Sequence, residues 1–158
     1  MLRLDHAPAL LAFELANREY FARTISDRGD AYFAEFDSRH AEMLAEQAAG
    51  AGYFHVFVDG DGSVLGRINL FDVAGGSANL GYRIAEHAAG RGLATSGVRQ
   101  VCALAAGQYG LISVRALTSV DNVGSRTVLA RTGFQLVGEA VVGGRPGLSY
   151  IRILVDRL

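Results

Sequence analysis

The segment between residues 84 and 95 holds the residue types best suited to chemistry in this sequence. It runs from a predicted strand into a predicted helix and contains Gly90, Arg91, Gly92 and Thr95. The first N–H groups of a helix have no intrahelical partner and lie at the positive end of its dipole, so this position favours an anion. Because glycine has no Cβ, a phosphate can approach the backbone closely. The segment predicts a phosphate site, to which Arg91 adds a positive charge and Thr95 a hydroxyl.

Glycine pairs of this kind also occur in nucleotide loops, in dinucleotide folds and in plain strand-to-helix turns. A nucleoside-triphosphate loop requires Gly-Lys-Ser/Thr, and the chain contains no lysine. A dinucleotide fold requires the loop after the first strand of a parallel unit, with an acid about 20 residues further on. Here the loop follows an antiparallel meander. The glycines alone are also compatible with a simple strand end and helix start, but Arg91, Thr95 and the downstream Asn122 and Ser125 favour the site.

Hydrophobic periodicity predicts an α+β fold built on one mixed sheet. The predicted strands cover residues 2–4, 53–58, 64–72, 79–85, 111–118, 134–142 and 148–155. The predicted helices cover residues 9–18, 30–49, 91–108 and a short segment from Asp121 or Asn122 to Thr132, with an aromatic connection at 20–25. Turns are expected at residues 59–62, at 75–76 and at 143–147, and Gly133 is expected to end the short helix. Residues 53–85 thus form a predicted meander that leads into the phosphate segment.

Length and composition predict one domain over residues 1–158, in the cytoplasm, as a monomer or homodimer. One cysteine, Cys102, forms neither an internal disulfide nor a zinc site, which fits a reducing compartment, and no metal site is predicted. We expect no membrane contact, because no apolar run spans a bilayer and the N-terminus lacks a signal-peptide layout. The net charge of −1 predicts no nucleic-acid partner and argues against a strongly acidic or basic acceptor. We attribute the absence of lysine to coding bias, although avoidance of self-acetylation at lysine would give the same composition.

Four short motifs, in this order and spacing, resemble those of the GNAT acetyltransferase superfamily. They are Gly81-Tyr82-Arg83-Ile84, Ala89-Gly90-Arg91-Gly92-Leu93-Ala94, Asn122-x-x-Ser125 and Gly133-Phe134. Within the superfamily the chain is similar to the branch that acetylates ribosomal-protein N-termini and related amines, to which the opening strand at residues 2–4 also corresponds. The resemblance implies a mostly antiparallel central sheet flanked by helices, with the fourth and fifth strands splayed. It further implies a bulge near residues 81–84 that opens the gap for the pantetheine arm of acetyl-CoA.

The resemblance implies acetyl-CoA as co-substrate and carries its binding residues over position by position. These are Tyr82, Arg83, Ile84, Ala89, Gly90, Arg91, Gly92, Leu93, Ala94, Thr95, Asn122 and Ser125. Three positions depart from the family pattern: Ala89 replaces Gln or Arg, Leu129 replaces a tyrosine that protonates the leaving thiolate, and Val137 replaces a glutamate. The resemblance to the branch motif also carries over Ser125 as the candidate proton donor, with a purely structural role in the short helix as an equal alternative. Cys102, in the middle of a helix, is interpreted as a packing residue and not as an acyl carrier.

The acceptor is expected to be a primary amine, such as a peptide or protein N-terminal α-amine or a small-molecule amine, that attacks directly in a ternary complex. An α-amine with a pKa of about 7.7–8.0 is roughly a quarter neutral near pH 7.4, against about a thousandth of a lysine amine. Glu86 and His87 are the candidate general bases, and Asp72 and Glu139 are further candidates. The candidates for the acceptor groove are Tyr20, Phe21, Tyr32, Phe33 and Phe36, of which Phe33 and Phe36 are preferred as core residues.

Two further functions are compatible with the sequence alone. The first is a non-catalytic acyl-CoA-binding or sensing module on the same fold, which the missing tyrosine at Leu129 and the absence of a clear base support. The second is a pure interaction domain, which predicts no binding of coenzyme A.

Overall fold

The computed structural model describes residues 1–154 and contains a six-stranded sheet. The strands are β1 (Tyr53–Val58), β2 (Val64–Ala74), β3 (Ser77–Ile84), β4 (Ser113–Ser119), β5 (Gln135–Val142) and β6 (Arg145–Ile153). The helices are α1 (Ala7–Ala16), α2 (Arg18–Ala22), α3 (Asp30–Ala34), α4 (Phe36–Ala48), α5 (Leu93–Gly107) and α6 (Val123–Arg131). Short 3₁₀ helices cover Leu4–His6 and Glu86–Ala88. The order across the sheet is β1-β2-β3-β4-β6-β5, which confirms the predicted mixed α+β architecture.

The sheet opens between β3 and β4, its parallel pair. The pairing runs from Ser77↔Ser113 to Leu80↔Ala116 and ends there. Beyond that point β4 continues to pair with β6, as far as Ser119↔Gly147. Because β4 follows β6 and not β3, the last residues of β3 separate from those of β4. This gap confirms the splay predicted for the fourth and fifth strands, which are β3 and β4 in the structure.

The bulge expected near residues 81–84 is wrong. β3 pairs with β2 in a regular register from Gly66↔Ile84 to Phe71↔Asn79. The irregularity lies at the other end of this hairpin, between Phe71 and Ala74, where Asp72 has a φ of 52°. The gap therefore arises from the partner that β4 follows and not from an extra residue in β3.

Two apolar clusters lie on opposite faces of the sheet, since neighbouring strand residues point to opposite faces. The first cluster packs α5 and α6 against the sheet and includes Ile68, Leu80, Val98, Val114 and Leu129. The second cluster packs α1–α4 against the other face and includes Leu10, Phe13, Phe21, Phe36 and Phe54. The N-terminal helices and the two C-terminal helices thus enclose the open end of β3 from two sides.

The strand predicted at residues 2–4 is wrong. The Leu2 N–H donates to the Phe54 carbonyl at 2.8 Å, but the Leu2 carbonyl accepts from the Gln47 side chain at 3.0 Å. The Gln47 amide oxygen in turn accepts from the Phe54 N–H. The Gln47 side chain therefore bridges Leu2 and Phe54, where strand pairing would use a direct backbone hydrogen bond. The backbone then enters a 3₁₀ helix at Leu4–His6.

The helical segments also depart from the predicted bounds. The helix expected over residues 30–49 is two helices, because Glu35 has φ −104° and ψ 19° and interrupts the ladder. Tyr32 and Phe36, on either side of this break, meet edge to face, with ring centroids 5.8 Å apart. The aromatic connection at residues 20–25 contains the end of α2, and the last turn is only Gly143-Gly144, since β6 begins at Arg145. Val155 of the last predicted strand lies outside the described residues.

A further expectation concerns membranes. Within residues 1–154 the structure contains no helix whose length and hydropathy would allow it to cross a bilayer.

Candidate active site

Two helices begin at the open end of the gap. β3 and β4 are parallel, so their carboxyl ends lie at the same edge of the sheet. α5 follows β3 through the 3₁₀ helix and the glycine turn, and α6 follows β4 after a short loop. Ligands of sheets with parallel strands bind in the crevice outside such carboxyl ends. This geometry makes the gap and the two helix starts the candidate active site.

The glycine turn has the backbone geometry that a phosphate requires. Gly90 and Gly92 have φ values of 77° and 75°, a conformation that L side chains rarely adopt. A Cβ placed on either residue would meet nothing within 4 Å, so the space above the turn is open. α5 has no side-chain cap, and its first intrahelical bond is from the Ser96 N–H to the Gly92 carbonyl. The N–H groups of residues 93–95 are therefore available to a diphosphate.

Of the side chains at residues 89–95, around the turn, only that of Arg91 is charged. Arg91 is exposed and donates through Nη2 to the His87 carbonyl at 3.0 Å, which holds its charge beside the turn. Ala89 is extended and exposed, and Thr95 is half-buried in the first turn of α5. Leu93 packs instead against the second apolar cluster. The turn thus offers one cation and backbone donors to an anion.

Tyr82 and Ser125 lie on the α5–α6 side of the gap. The Tyr82 ring packs against the first apolar cluster, and its hydroxyl is buried without a hydrogen-bond partner among residues 1–154. Burial raises the pKa of Tyr82, and the neighbouring Ser125 hydroxyl opposes this increase without forming a hydrogen bond within 3.5 Å. A buried hydroxyl without a partner is costly, so it fits a site that a polar ligand completes.

Asn122 caps α6 and so fixes Ser125. Its Oδ1 accepts the Ser125 N–H at 3.1 Å, so of the two expected starting residues, Asp121 and Asn122, it is Asn122 that caps the helix. The cap uses one lone pair of the Asn122 amide oxygen, so the other lone pair and the NH₂ group remain for a ligand. The Ser125 hydroxyl takes no part in this bond.

Asn122→Ala is expected to lower the free energy of unfolding by about 1 kcal/mol, since it leaves the Ser125 N–H without its acceptor. Asn122→Asp keeps a capping oxygen and is the matched control. Urea unfolding of the two variants measures the difference. Equal stabilities of the alanine and aspartate variants would contradict the capping role.

The four candidate bases are dispersed. Glu86 is exposed and forms an ion pair with Arg23 at 3.5 Å, while His87 follows it in the 3₁₀ helix. Both line a cavity of about 560 Å³ between α1 and the β1–β2 turn, which includes neither Ser125 nor the glycine turn. Asp72 belongs to β2 and lies next to the start of β3, which is the end of β3 far from the gap. Glu139 is exposed on the edge strand β5, and β6 lies between this strand and β4.

The aromatic residues proposed for an acceptor groove are mostly core. Phe21, Tyr32 and Phe36 are buried in the second apolar cluster. The expectation that Tyr32 lines a groove is wrong, because its ring is 8% exposed and its hydroxyl accepts from Arg67 at 3.2 Å. Tyr20 and Phe33 are half-buried. Tyr20 thus remains the groove candidate with an accessible polar end.

Two further positions singled out in the sequence, Leu129 and Cys102, lie in the core, and a third, Val137, is exposed. Leu129 is 1% exposed in the first apolar cluster, so its side chain is a packing residue. Cys102 is 1% exposed in the same cluster, which matches its interpretation as a packing residue. Burial raises the pKa of its thiol, and Arg152 opposes this increase. Val137 lies at the irregularity of β5, where it is 63% exposed.

A group of charged residues was missed by the sequence reasoning. Glu14 of α1 is buried and forms ion pairs with Arg28, Arg67 and Arg83. The Arg83 side chain therefore turns away from the phosphate turn, and only its backbone faces the gap. The available signal is Glu14 itself, one turn after Leu10 on the apolar face of α1, where an unpaired carboxylate would not be stable.

Comparison with known proteins places this geometry in a family. The family model described as "Acetyltransferase (GNAT) domain" matches residues 1–135. The probable N-acetyltransferase YjcK of Bacillus subtilis (strain 168) is 27% identical over 147 residues, which cover 88% of this chain and 80% of that protein.

Solved structures match the fold over almost the whole chain. The ribosomal-protein-S5-alanine acetyltransferase from Vibrio fischeri superposes with a TM-score of 0.93 at 18% identity, covering 99% of this chain and 92% of that chain. Mycobacterium smegmatis RimJ in complex with CoA-disulfide superposes with a TM-score of 0.85 at 23% identity, covering 96% and 79%. These matches confirm the expected fold, and together with the family model they show that the chain belongs to the GNAT acetyltransferase family.

Proposed function

We propose that this acetyltransferase moves the acetyl group of acetyl-CoA to the α-amine of a peptide or protein N-terminus, by direct attack in a ternary complex, and that it acts in the cytoplasm. The observation that carries the proposal is the gap between β3 and β4, which has an uncapped glycine turn at its mouth. A diphosphate at the turn and a thioester in the gap require one elongated molecule that carries the two groups well apart, and acetyl-CoA, with its pantetheine arm between them, has this form.

The chain's own groups supply the binding of coenzyme A. The N–H groups of residues 93–95 and the Arg91 guanidinium bind the diphosphate. The backbone groups of residues 81–84 that face the gap have no partner on β4, since the β3–β4 pairing ends at Leu80↔Ala116. They are available to the pantetheine amides and to the thioester oxygen. Preorganised donors at a developing oxyanion are often the largest catalytic term.

The transfer needs one proton at the leaving sulfur. The amine nitrogen forms a bond to the acetyl carbon, the carbon–sulfur bond breaks, and the nitrogen loses a proton. We assign the proton delivered to sulfur to the Ser125 hydroxyl, which the Asn122 cap holds at the start of α6 and which regains a proton from solvent. Tyr82 lies beside it and binds a polar atom of coenzyme A through its unpartnered hydroxyl. Cys102 is buried in the core, which supports direct attack over an acyl-enzyme.

The dispersed bases favour an amine that is already partly neutral. Glu86 is engaged with Arg23 and, like His87, borders a cavity separate from the gap. A solvent water or a weak base then suffices to accept the proton of an α-amine with a pKa of about 7.7–8.0. A lysine amine would cost roughly 3.5 kcal/mol more to deprotonate.

Acetyl transfer is expected to be at least tenfold more efficient, as kcat/KM at pH 7.4, for the α-amine of a short peptide than for its lysine ε-amine with the α-amine blocked. For the α-amine, kcat/KM is expected to rise with pH and to level off above about pH 9, because the amine is then mostly neutral. Release of free thiol from acetyl-CoA measures both rates. Equal or greater efficiency with the ε-amine would refute the assigned acceptor class.

A further inference from the structure

Three arginines surround one buried glutamate on the α1–α4 side of β2 and β3. Glu14 Oε1 lies 2.8 Å from Arg67 Nη1, and Glu14 Oε2 lies 3.3 Å from both Arg83 Nη1 and Arg28 Nε. The Glu14 side chain is 1% exposed, and those of Arg67, Arg83 and Arg28 are 4%, 13% and 29% exposed. Arg67 and Arg83 face each other across the β2–β3 ladder. We call these four residues the arginine cluster.

The arginine cluster holds two more positive charges than negative ones. Within residues 1–154 its three guanidiniums form salt bridges to Glu14 alone. Arg67 also donates to the Tyr32 hydroxyl and to the Met43 sulfur, but its buried Nε has no partner among these residues. Partly buried charges without a counter-ion are costly, and an added anion would remove that cost.

The arginine cluster lies beside the open end of the gap. Arg83 belongs to the part of β3 that has separated from β4, and it points to the opposite face from its neighbour Tyr82. Arg28 belongs to the α2–α3 segment (residues 23–29). Ser26 of that segment lies 3.4 Å from the position of a Cβ on Gly143, in the β5–β6 turn. This turn lies just beyond the Ser119↔Gly147 pair at the carboxyl end of β4. Arg23, at the start of the segment, pairs with Glu86 just after β3. The α2–α3 segment therefore crosses over the mouth of the gap.

The pKa of Arg83 is consistent with an excess of positive charge in the arginine cluster. Burial lowers the pKa of Arg83, the charges of Arg28 and Arg67 lower it further, and Glu14 opposes the change. Arginine nevertheless remains protonated in proteins. The cluster is therefore a permanent cation at neutral pH, with Arg28 and Arg83 as its accessible edges.

We propose that the arginine cluster is a subsite for a carboxylate carried by the acceptor, so that the favoured acceptors are amines with an acidic group near the reacting nitrogen. This inference rests on the proposed function. Arg28 and Arg83 contact the carboxylate, Arg67 adds charge from below, and Glu14 holds the guanidiniums in place. The overall charge of −1 conceals this preference, because it averages over surfaces that the acceptor does not touch.

The test compares acceptor pairs that differ by one carboxylate. The first pair is a C-terminally amidated peptide with either Asp or Asn at its first position. The second pair makes the same change at the second position. The third pair is Ala-Ala with a free or an amidated C-terminus, which separates a main-chain carboxylate from a side-chain one. Rates are measured at pH 9, where α-amines are mostly neutral. In at least one pair the acid is expected to have a kcat/KM roughly tenfold above its amide, as a charge-assisted hydrogen bond provides.

Arg28→Gln is expected to remove that preference by raising the KM of the acid acceptor to that of its amide. Arg28→Lys is expected to retain part of it, and Arg115→Gln, which removes the same charge from the exposed part of β4, is the control. Equal kcat/KM within all three wild-type pairs overturns the subsite but leaves the proposed function standing, since thiol release continues. A preference that survives Arg28→Gln and Arg83→Gln also overturns it. Absence of transfer to every peptide overturns the proposed function and, with it, the subsite.

Discussion

Arg91→Glu is expected to weaken the binding of coenzyme A by roughly ten- to a hundred-fold. The wild-type guanidinium lies beside the turn, held by the His87 carbonyl at 3.0 Å, so it meets a diphosphate without first being ordered. Removing one charge-assisted contact costs about 1.5–3 kcal/mol, and each 1.4 kcal/mol is about tenfold in affinity. The introduced carboxylate adds repulsion. Titration calorimetry with coenzyme A measures the dissociation constant directly.

Arg99→Glu is the matched control, because Arg99 is exposed on α5, the helix that follows the turn, and the substitution changes the net charge equally. Its effect on the affinity should stay within about twofold and should vanish as salt screens exposed charges. Comparable losses for the two variants would indicate a general field effect and not a contact. If neither variant changed the affinity, the turn would not be the diphosphate site.

The glycine turn is the part of the site that the sequence predicts well. Gly90 and Gly92 are required by a local property, a positive φ, and their spacing from the strand and the helix is visible in the chain. The same holds for Asn122, whose side chain reaches only three residues forward to cap α6. Short-range backbone chemistry determines both features, so no knowledge of tertiary packing is needed to find them.

Features that depend on distant partners were not predictable in the same way. The gap was expected from a bulge in β3, whereas it results from the longer pairing of β4 with β6. The residue 2–4 segment resembles a strand, but the Gln47 side chain competes for its hydrogen bonds. The arginine cluster joins Glu14 to Arg83 across 69 residues, so no periodicity in the sequence links them. In each case a choice between tertiary partners decides the structure.

Ser125→Ala is expected to lower kcat by roughly a hundred-fold, with little change in the dissociation constant of coenzyme A. General acid catalysis contributes about 10²–10⁴-fold, and the lost group acts only when the carbon–sulfur bond breaks. The Asn122 cap uses the backbone N–H of Ser125, so the variant keeps the start of α6. Single-turnover acetyl transfer with a saturating peptide measures the chemical step. An unchanged rate would leave the hydroxyl with a structural role only.

Tyr82→Phe tests whether the Tyr82 hydroxyl, next to Ser125, binds coenzyme A or delivers the proton to the leaving sulfur. The Tyr82 hydroxyl is buried without a partner among residues 1–154, so its removal should not reduce the free energy of unfolding of the unliganded protein. It should instead raise the dissociation constant of coenzyme A several-fold while the single-turnover rate at saturation stays within about twofold. If Tyr82→Phe lowers that rate a hundred-fold and Ser125→Ala does not, Tyr82 delivers the proton. Burial raises the pKa of Tyr82, which keeps the phenol protonated at neutral pH in either case. The two variants therefore assign the leaving-group proton to one of two neighbouring hydroxyls.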